Sequence, residues 1–503
     1  MKKLRIVLIK PSKYARDGRV DRFDKGFMPN ASLYHIRSLT PGDVDGRPIE
    51  VHCVDEYVRT DLDYLRLLRP EPDSDTLLAL VGVQSHQLHR AMDLTAYALE
   101  QGVRHCVIGG PHPMTCDTSP LHGRGVSFAL AEAEIIWGDI IRDAAAGALR
   151  PVYDPHSRWQ KSLEGAVVQP PSPAELNQYV LPMLGLYPVR GCPYRCNYCS
   201  VVKIAGHNVR STGTAVAIES LRRARDAGVG YIAFVSDNFN KYPNVTELLE
   251  AMVDADLGMR FLCQCDTHVV NQPELFDLLQ KANCFEMFIG VESFNRATLK
   301  SVHKFHNHPR KYQELARLCR DHGIRAHFSN IIGFPEDTED SILEGLDILK
   351  QLGPDVASFY VLTPIPGTEQ YDDYLARGLI TETNLDRFDT TCAVWRHPTL
   401  APDHLEGLLY RCYVDYYRHL MRRKDRHDEF PEFAVFCRYA ASQGIHPMAG
   451  GAGRVELDGV DDYLELRQRR FGMTHAPLPA SLRLSAEDEA FNSRISWTGT
   501  LAH

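Results

Sequence analysis

Between residues 184 and 363 six apolar runs recur: LGLYPV, YIAFVS, RFLCQC, FEMFIGV, RAHFSNI and VASFYVL. Amphipathic helical stretches such as TAVAIESLRRARDAG and DTEDSILEGLDILKQLG separate them. Strands spaced by helices cannot pair as hairpins. They run parallel, with crossovers covering the sheet. Six such units predict a partial (β/α)6 TIM-type barrel over 184–370, although periodicity alone also admits a second open sheet. In a barrel the chemistry sits in loops at the carboxyl ends of the strands.

Residues 1–150 alternate in the same way. Strands are expected at 4–10, 76–83, 105–110 and 126–131, with helices ended by Gly102 and Gly147. This predicts an α/β fold that opens with a doubly wound, Rossmann-like parallel sheet. Its ligand crevice would lie at the loops QSHQLH (84–89), GGPHPM (109–114) and AEAE (131–134). Six prolines between 151 and 183 suit a linker. After 370 the pattern weakens. Residues 371–503 are read as a mostly α-helical substrate cap, with a helix over 401–424, a flexible loop GIHPMAGGAGR (444–454) and a tail (474–503) of little pattern.

The chain is too long for one core, at 503 residues, so two or three domains are expected. A net charge of -9 argues against a general nucleic-acid binder. No apolar run is long enough to span a bilayer. The run IVLI near the N-terminus stops at Lys10 and Pro11 without a cleavage site, which reads as a first strand of a cytoplasmic protein.

Thirteen cysteines in a chain without an export signal favour thiols used for metal or catalysis over a disulfide framework. Ten are scattered, several within strand-like runs, and read as small hydrophobes. The other three, Cys192, Cys196 and Cys199, occupy one loop, GCPYRCNYCS, directly after the first barrel strand. A structural zinc site closes with four ligands, usually as two pairs. Three thiols instead leave one iron of a [4Fe–4S] cluster open for a non-protein ligand.

CPYRCNYC resembles the CxxxCxxC motif of radical S-adenosylmethionine (SAM) enzymes, with Tyr198 as the aromatic residue before the last cysteine. The resemblance implies that the amino and carboxylate groups of SAM chelate the open iron. Reductive cleavage then releases a 5′-deoxyadenosyl radical. FVSDNFN (234–240) resembles the stretch that contacts the SAM amino group in one large subgroup. It implies Asp237 and Asn238 as contacts, with Ser236 replacing the usual Asp. Glu292 in FIGVES resembles the glutamate that faces SAM, and Gln264 and Ser329 are implied near the ribose. IIGFPEDTEDS (331–341) matches a turn that reads as architectural, and TPIPGTEQY (363–371) resembles the closing stretch of the barrel.

Residues 81–114 resemble the central part of the cobalamin-binding domain of one branch of that family, and AEAE (131–134) resembles its GE-x-E element with Ala131 in place of Gly. The resemblance implies Gln84, Ser85, Gly109, Gly110 and Glu132 as cobalamin-binding residues. The DxHxxG motif, which supplies a histidine below the cobalt, is not present. The implied function is methyl transfer to an unreactive carbon or phosphorus of a small-molecule biosynthetic intermediate. A flavodoxin or ferredoxin would donate electrons. Two other readings remain open: cobalamin-independent transfer of a 3-amino-3-carboxypropyl group or carbon–carbon coupling, and a non-catalytic iron–sulfur sensor. His86, His89 and His112 read as solvated loop residues, as do His306–His308. MRRKDR (421–426) reads as an exposed helix face. Tyr413, Tyr416 and Tyr417 fall at helical spacing and read as core more readily than as a pocket wall.

Overall fold

The strand KLRIVLIK, β1 (Lys3–Lys10), is buried along all but its first residue, so it needs cover on both faces. In the computed structural model, which describes residues 2–15, 18–161, 163, 165–422 and 451–455, that cover comes from helices on either side of a seven-stranded sheet. After β1 come β2 (Phe23–Gly26), β3 (Asp43–Val44), β4 (Arg47–Asp55), β5 (Ser74–Leu80), β6 (His105–Gly109), β7 (Ser127–Ala129) and β8 (Val152–Tyr153). The sheet order is β3-β4-β1-β5-β6-β7-β8, parallel throughout except for β3 with β4. The chain turns left of β1 into β4 and right of it into β5, so the switch point lies between β1 and β5. The doubly wound sheet is as expected, with additions. β4 and the helix Ala31–Leu39 were not foreseen, because RPIEVHCVD mixes charge with apolar residues and stays half-buried at its centre. β8 lies within the proline-rich stretch read as linker.

The second sheet contains β9 (Met183–Leu186), β12 (Tyr231–Phe234), β13 (Arg260–Cys265), β14 (Cys284–Glu292), β15 (Arg325–Ile332) and β16 (Val356–Val361). All neighbours are parallel and follow chain order, which is the expected partial barrel. A short hairpin of β10 (Val189–Arg190) and β11 (Arg210–Ser211) brackets the cysteine loop. Outward residues such as Ile232, Phe261, Met287 and Phe328 bury against the helices. The helix Glu339–Leu352 starts in a capping box between Thr338 and Ser341, which satisfies two otherwise orphaned N–H groups. It ends at Gly353 in the left-handed region.

A six-stranded barrel leaves edges. The helix Pro402–Arg422 lies along the β16 edge, and there its tyrosines act as core, as their spacing suggested. Tyr413 Oη accepts from Phe359 N–H at 3.0 Å and donates to Phe359 O at 2.9 Å. Tyr417 does the same at Ala357, at 3.2 and 2.8 Å. These hydroxyls stand where a seventh strand would, satisfying an otherwise open edge. Gly451–Arg454 (β17), expected as flexible loop, pairs antiparallel with β2. Cys437, the rest of the 444–454 loop, MRRKDR beyond Arg422 and the tail lie outside the described residues. Among the described residues no helix is long and apolar enough to cross a membrane.

Candidate active site

Gly191, Cys192, Cys196 and Cys199 follow β10, where the chain must turn sharply over the barrel mouth. Gly191 sits at φ 96°, and a Cβ there would lie 2.3 Å from the Asn208 carbonyl, so only glycine fits. The three thiols are free and half-buried. Burial pushes Cys192 up to about 11 and Cys199 up to about 12, and raises Cys196. Among the described residues no three His, Cys, Asp or Glu side chains converge on a single metal ion. A cuboidal cluster needs no such convergence, because each corner takes one sulfur.

The loop after β12 holds the cysteine loop in place. Ser236 Oγ accepts from Val189 N–H at 3.2 Å, Asp237 Oδ2 from Gly191 N–H at 3.0 Å, and Asn238 Nδ2 donates to Cys192 Sγ at 3.0 Å. Ser236, left without a role by the sequence, therefore has one. Asp237 and Asn238, expected on the ammonium and carboxylate of SAM, have these side-chain atoms turned to the cysteine loop. Burial raises the Asp237 carboxyl, partly offset by the Gly191 bond.

Glu292 ends β14 across a register break and lies at φ 63°, a strained position for a non-glycine residue. Asn307 Nδ2 fastens this bulge by donating to Gly290 O and Val291 O at 2.8 and 2.9 Å. The buried Glu292 carboxylate meets Lys304 Nζ at 2.5 Å, and Lys304 reaches Tyr198 Oη at 3.3 Å. A side chain at position 290 would come within 2.6 Å of Glu292 Oε1, so Gly290 leaves room for the pair. Burial alone would lower the Lys304 ammonium, but Glu292 and the thiols of Cys196 and Cys199 hold it above the usual value.

Lys304 and Asn307 were missed. The H-N-H run is solvated only at His308: His306 is buried and stacks on Tyr194 of the cysteine loop at 3.6 Å between centroids. Gln264 and Ser329 lie towards the carboxyl ends of β13 and β15, in register with Phe288 and Gly290.

Two cavities adjoin at Tyr187, between the carboxyl ends of the first sheet and the barrel. One, of about 290 Å³, is lined by Gly109, Gly110, Glu132, Glu134, Arg190 and Asp237 at its mouth, and by Ala79, Val107, Ile136, Trp137 and Ile140 further in. Gly110 touches the Gly82–Val83 backbone so closely that a Cβ would lie 2.2 Å from Val83 N. Glu132 is drawn away from a purely ligand-facing role. Its carboxylate takes Arg210 at 2.8 Å through both oxygens and the Gln160 N–H at 2.8 Å, tying the first sheet to the barrel. Glu134 pairs with Arg190 at 2.6 Å and His35 at 2.7 Å. Burial would raise its carboxyl, but these two partners hold it far below the usual range.

The other cavity, of about 440 Å³, includes Gln84 and His86 in its wall. Ser85 is buried against His112, Oγ to Nδ1 at 3.0 Å, and His89 pairs with Asp386 at 3.0 Å. None of the three histidines is simply solvated. The segment 384–391 closes over His86 and His89, whereas His112 is held within the first domain by Ser85.

The profile of the radical SAM superfamily matches residues 186–366, from the end of β9 through the cysteine loop to the close of the barrel. Over residues 186–366 the chain is similar to the radical SAM superfamily. Among curated relatives, bacteriochlorophyllide d C-12(1)-methyltransferase of Chlorobaculum tepidum is 28% identical over 295 residues, covering 56% of this chain and 62% of that protein. Bacteriochlorophyllide d C-8(2)-methyltransferase of the same organism is 23% identical over 411 residues, covering 76% and 84%. The chain thus spans less than two thirds of the length of the first of these relatives. The cobalamin- and [4Fe–4S]-bound radical SAM methyltransferase TsrM of Kitasatospora setae superposes with a TM-score of 0.62 at 14% identity, over 93% of this chain and all of that one. The likeness shows a shared fold across both domains.

Proposed function

We propose that this protein is a cobalamin-dependent radical SAM methyltransferase acting on an unreactive carbon or phosphorus of a small molecule. The observation that carries the reading is the three-thiol loop held by Asn238 beside the buried Glu292–Lys304 pair. Cys192, Cys196 and Cys199 would hold a [4Fe–4S] cluster. When bound, the cluster supplies the electron that cleaves SAM, and cobalamin carries the methyl group.

The chain's residues act by binding and orientation. A carboxylate and an ammonium 2.5 Å apart present opposite charges of the kind an amino-acid zwitterion needs. Glu292 would take the SAM ammonium and Lys304 its carboxylate, with Tyr198 steadying Lys304. Gln264 and Ser329 would face the ribose. The small cavity fits cobalamin in kind. Gly109 and Gly110 leave backbone exposed at its mouth, and an apolar slot runs in between the first sheet and the helix Ala133–Ala145. Interiors are normally packed without such slots, and this one would receive the benzimidazole-bearing tail. Ser85 then acts by holding His112, and Glu132 by clamping the two domains around the cofactor. A small iron–sulfur or flavin protein would deliver the electrons.

Anaerobically reconstituted protein given SAM, a reductant and cobalamin tests this. 5′-Deoxyadenosine together with S-adenosylhomocysteine is the expected product pair. 5′-Methylthioadenosine would instead indicate transfer of the 3-amino-3-carboxypropyl group.

A further inference from the structure

We propose that the cavity at the switch point between β1 and β5 binds a neutral, flat aromatic part of the substrate. This rests on the radical SAM methyltransferase reading above. The cavity holds about 440 Å³ and shares Tyr187 with the cofactor slot, so its occupant would lie beside both. Its walls are aromatic from both sides. Phe23, Phe27 and Tyr57 come from the first domain, and Tyr187, Tyr360 and Phe388 come from the barrel and the segment after it. Opposed rings suit a planar guest, which can stack or meet them edge to face.

Charge decides the class further. Lys10 Nζ donates to Gly82 O and to Gln87 Oε1, the latter at 2.7 Å, and feels the Asp55 carboxylate. Asp55 accepts from the Tyr57 N–H at 3.3 Å and the Tyr179 hydroxyl at 2.9 Å. Asp389 is paired with Lys13, which also lies 3.9 Å from Asp21. Burial pushes the His86 imidazole down to about 3, so it is neutral. Asp389 is therefore neutralised by Lys13, while Lys10 and Asp55 are each hydrogen-bonded within the protein and offset one another at longer range. An ionic substituent buried here would lose its hydration without gaining a counter-charge. A neutral ring loses little on leaving water and gains the apolar contact.

Reconstituted full-length protein is titrated at pH 7 with 2-naphthol, 2-naphthoate and 2-naphthylmethylammonium, followed by naphthalene fluorescence. 2-Naphthol is expected to bind at least about tenfold more tightly than either charged probe. Tyr360→Ala and Phe388→Leu are each expected to weaken it by about tenfold, the second without opening a large hole. Equal or tighter binding of a charged probe, absence of 2-naphthol binding, or indifference to both substitutions would overturn the proposal. SAM is titrated into the same samples. Retained SAM binding with the wrong probe pattern overturns only the substrate class, whereas lost SAM binding in the unsubstituted protein overturns the reading beneath it.

Discussion

The side-chain amide of Asn238 donates to Cys192 Sγ across 3.0 Å, joining the second barrel strand to the cysteine loop. Hydrogen bonds to cluster sulfurs raise reduction potential. Asn238→Ala should therefore keep its iron yet lower the cluster potential by an amount on the order of tens of millivolts. Redox titration followed by electron paramagnetic resonance checks this, with the iron content of the same sample as the control.

Glu292 and Lys304 are predicted to act as one unit on SAM. Glu292→Gln and Lys304→Met should each weaken SAM binding by about tenfold or more, and the double variant by less than the product of the two. Each single variant also strands a buried charge, so unfolding free energy should drop by about 3 kcal/mol. Isothermal titration and denaturant melts separate the two effects. Unchanged SAM affinity in both single variants would remove the pair from the site.

Acid should loosen the first domain. Burial holds His86 down to about 3 and His112 down to about 4, below the value of an unfolded histidine. A depressed histidine contributes stability that is present above about pH 6.5 and is lost as pH falls towards the folded value. Between pH 6.5 and 5 the loss at the buried His112 is on the order of 2 kcal/mol. Denaturation at pH 7.5 and pH 5 should show it, and His112→Gln should flatten the slope. A slope that survives this substitution unchanged would refute the assignment.

Arg210 holds the domains together through Glu132. Arg210→Met leaves Glu132 buried with the Gln160 N–H and Arg190 at 3.3 Å as its remaining partners. Breaking a buried pair from one side costs about 3–5 kcal/mol. A lower melting temperature and faster proteolysis in the 151–183 segment are expected. Intact resistance would show that the clamp carries no weight.

What the sequence disclosed followed from locality. Strand-helix alternation reports both sheets because its period is short, and the cysteine loop is legible because its three thiols fall within eight residues. Residues that work through distant partners left no such mark. Lys304 meets Glu292 across a loop and Tyr198 across 106 positions. Asn307 was hidden inside a histidine pair that looked solvated, and only the fold shows it pinning the β14 bulge. Arg210 and Arg190 resemble surface arginines until Glu132 and Glu134 arrive from the other domain. β4 escaped notice because a half-buried strand carries a diluted apolar pattern.

The central claim is that three cysteines hold a four-iron cluster whose remaining iron takes SAM. Electron paramagnetic resonance of the reconstituted, dithionite-reduced protein, recorded with and without SAM, tests it most directly. The account predicts about four irons per chain and a cluster signal whose g values shift when SAM is added. A signal indifferent to SAM, or zinc in place of iron, would contradict it.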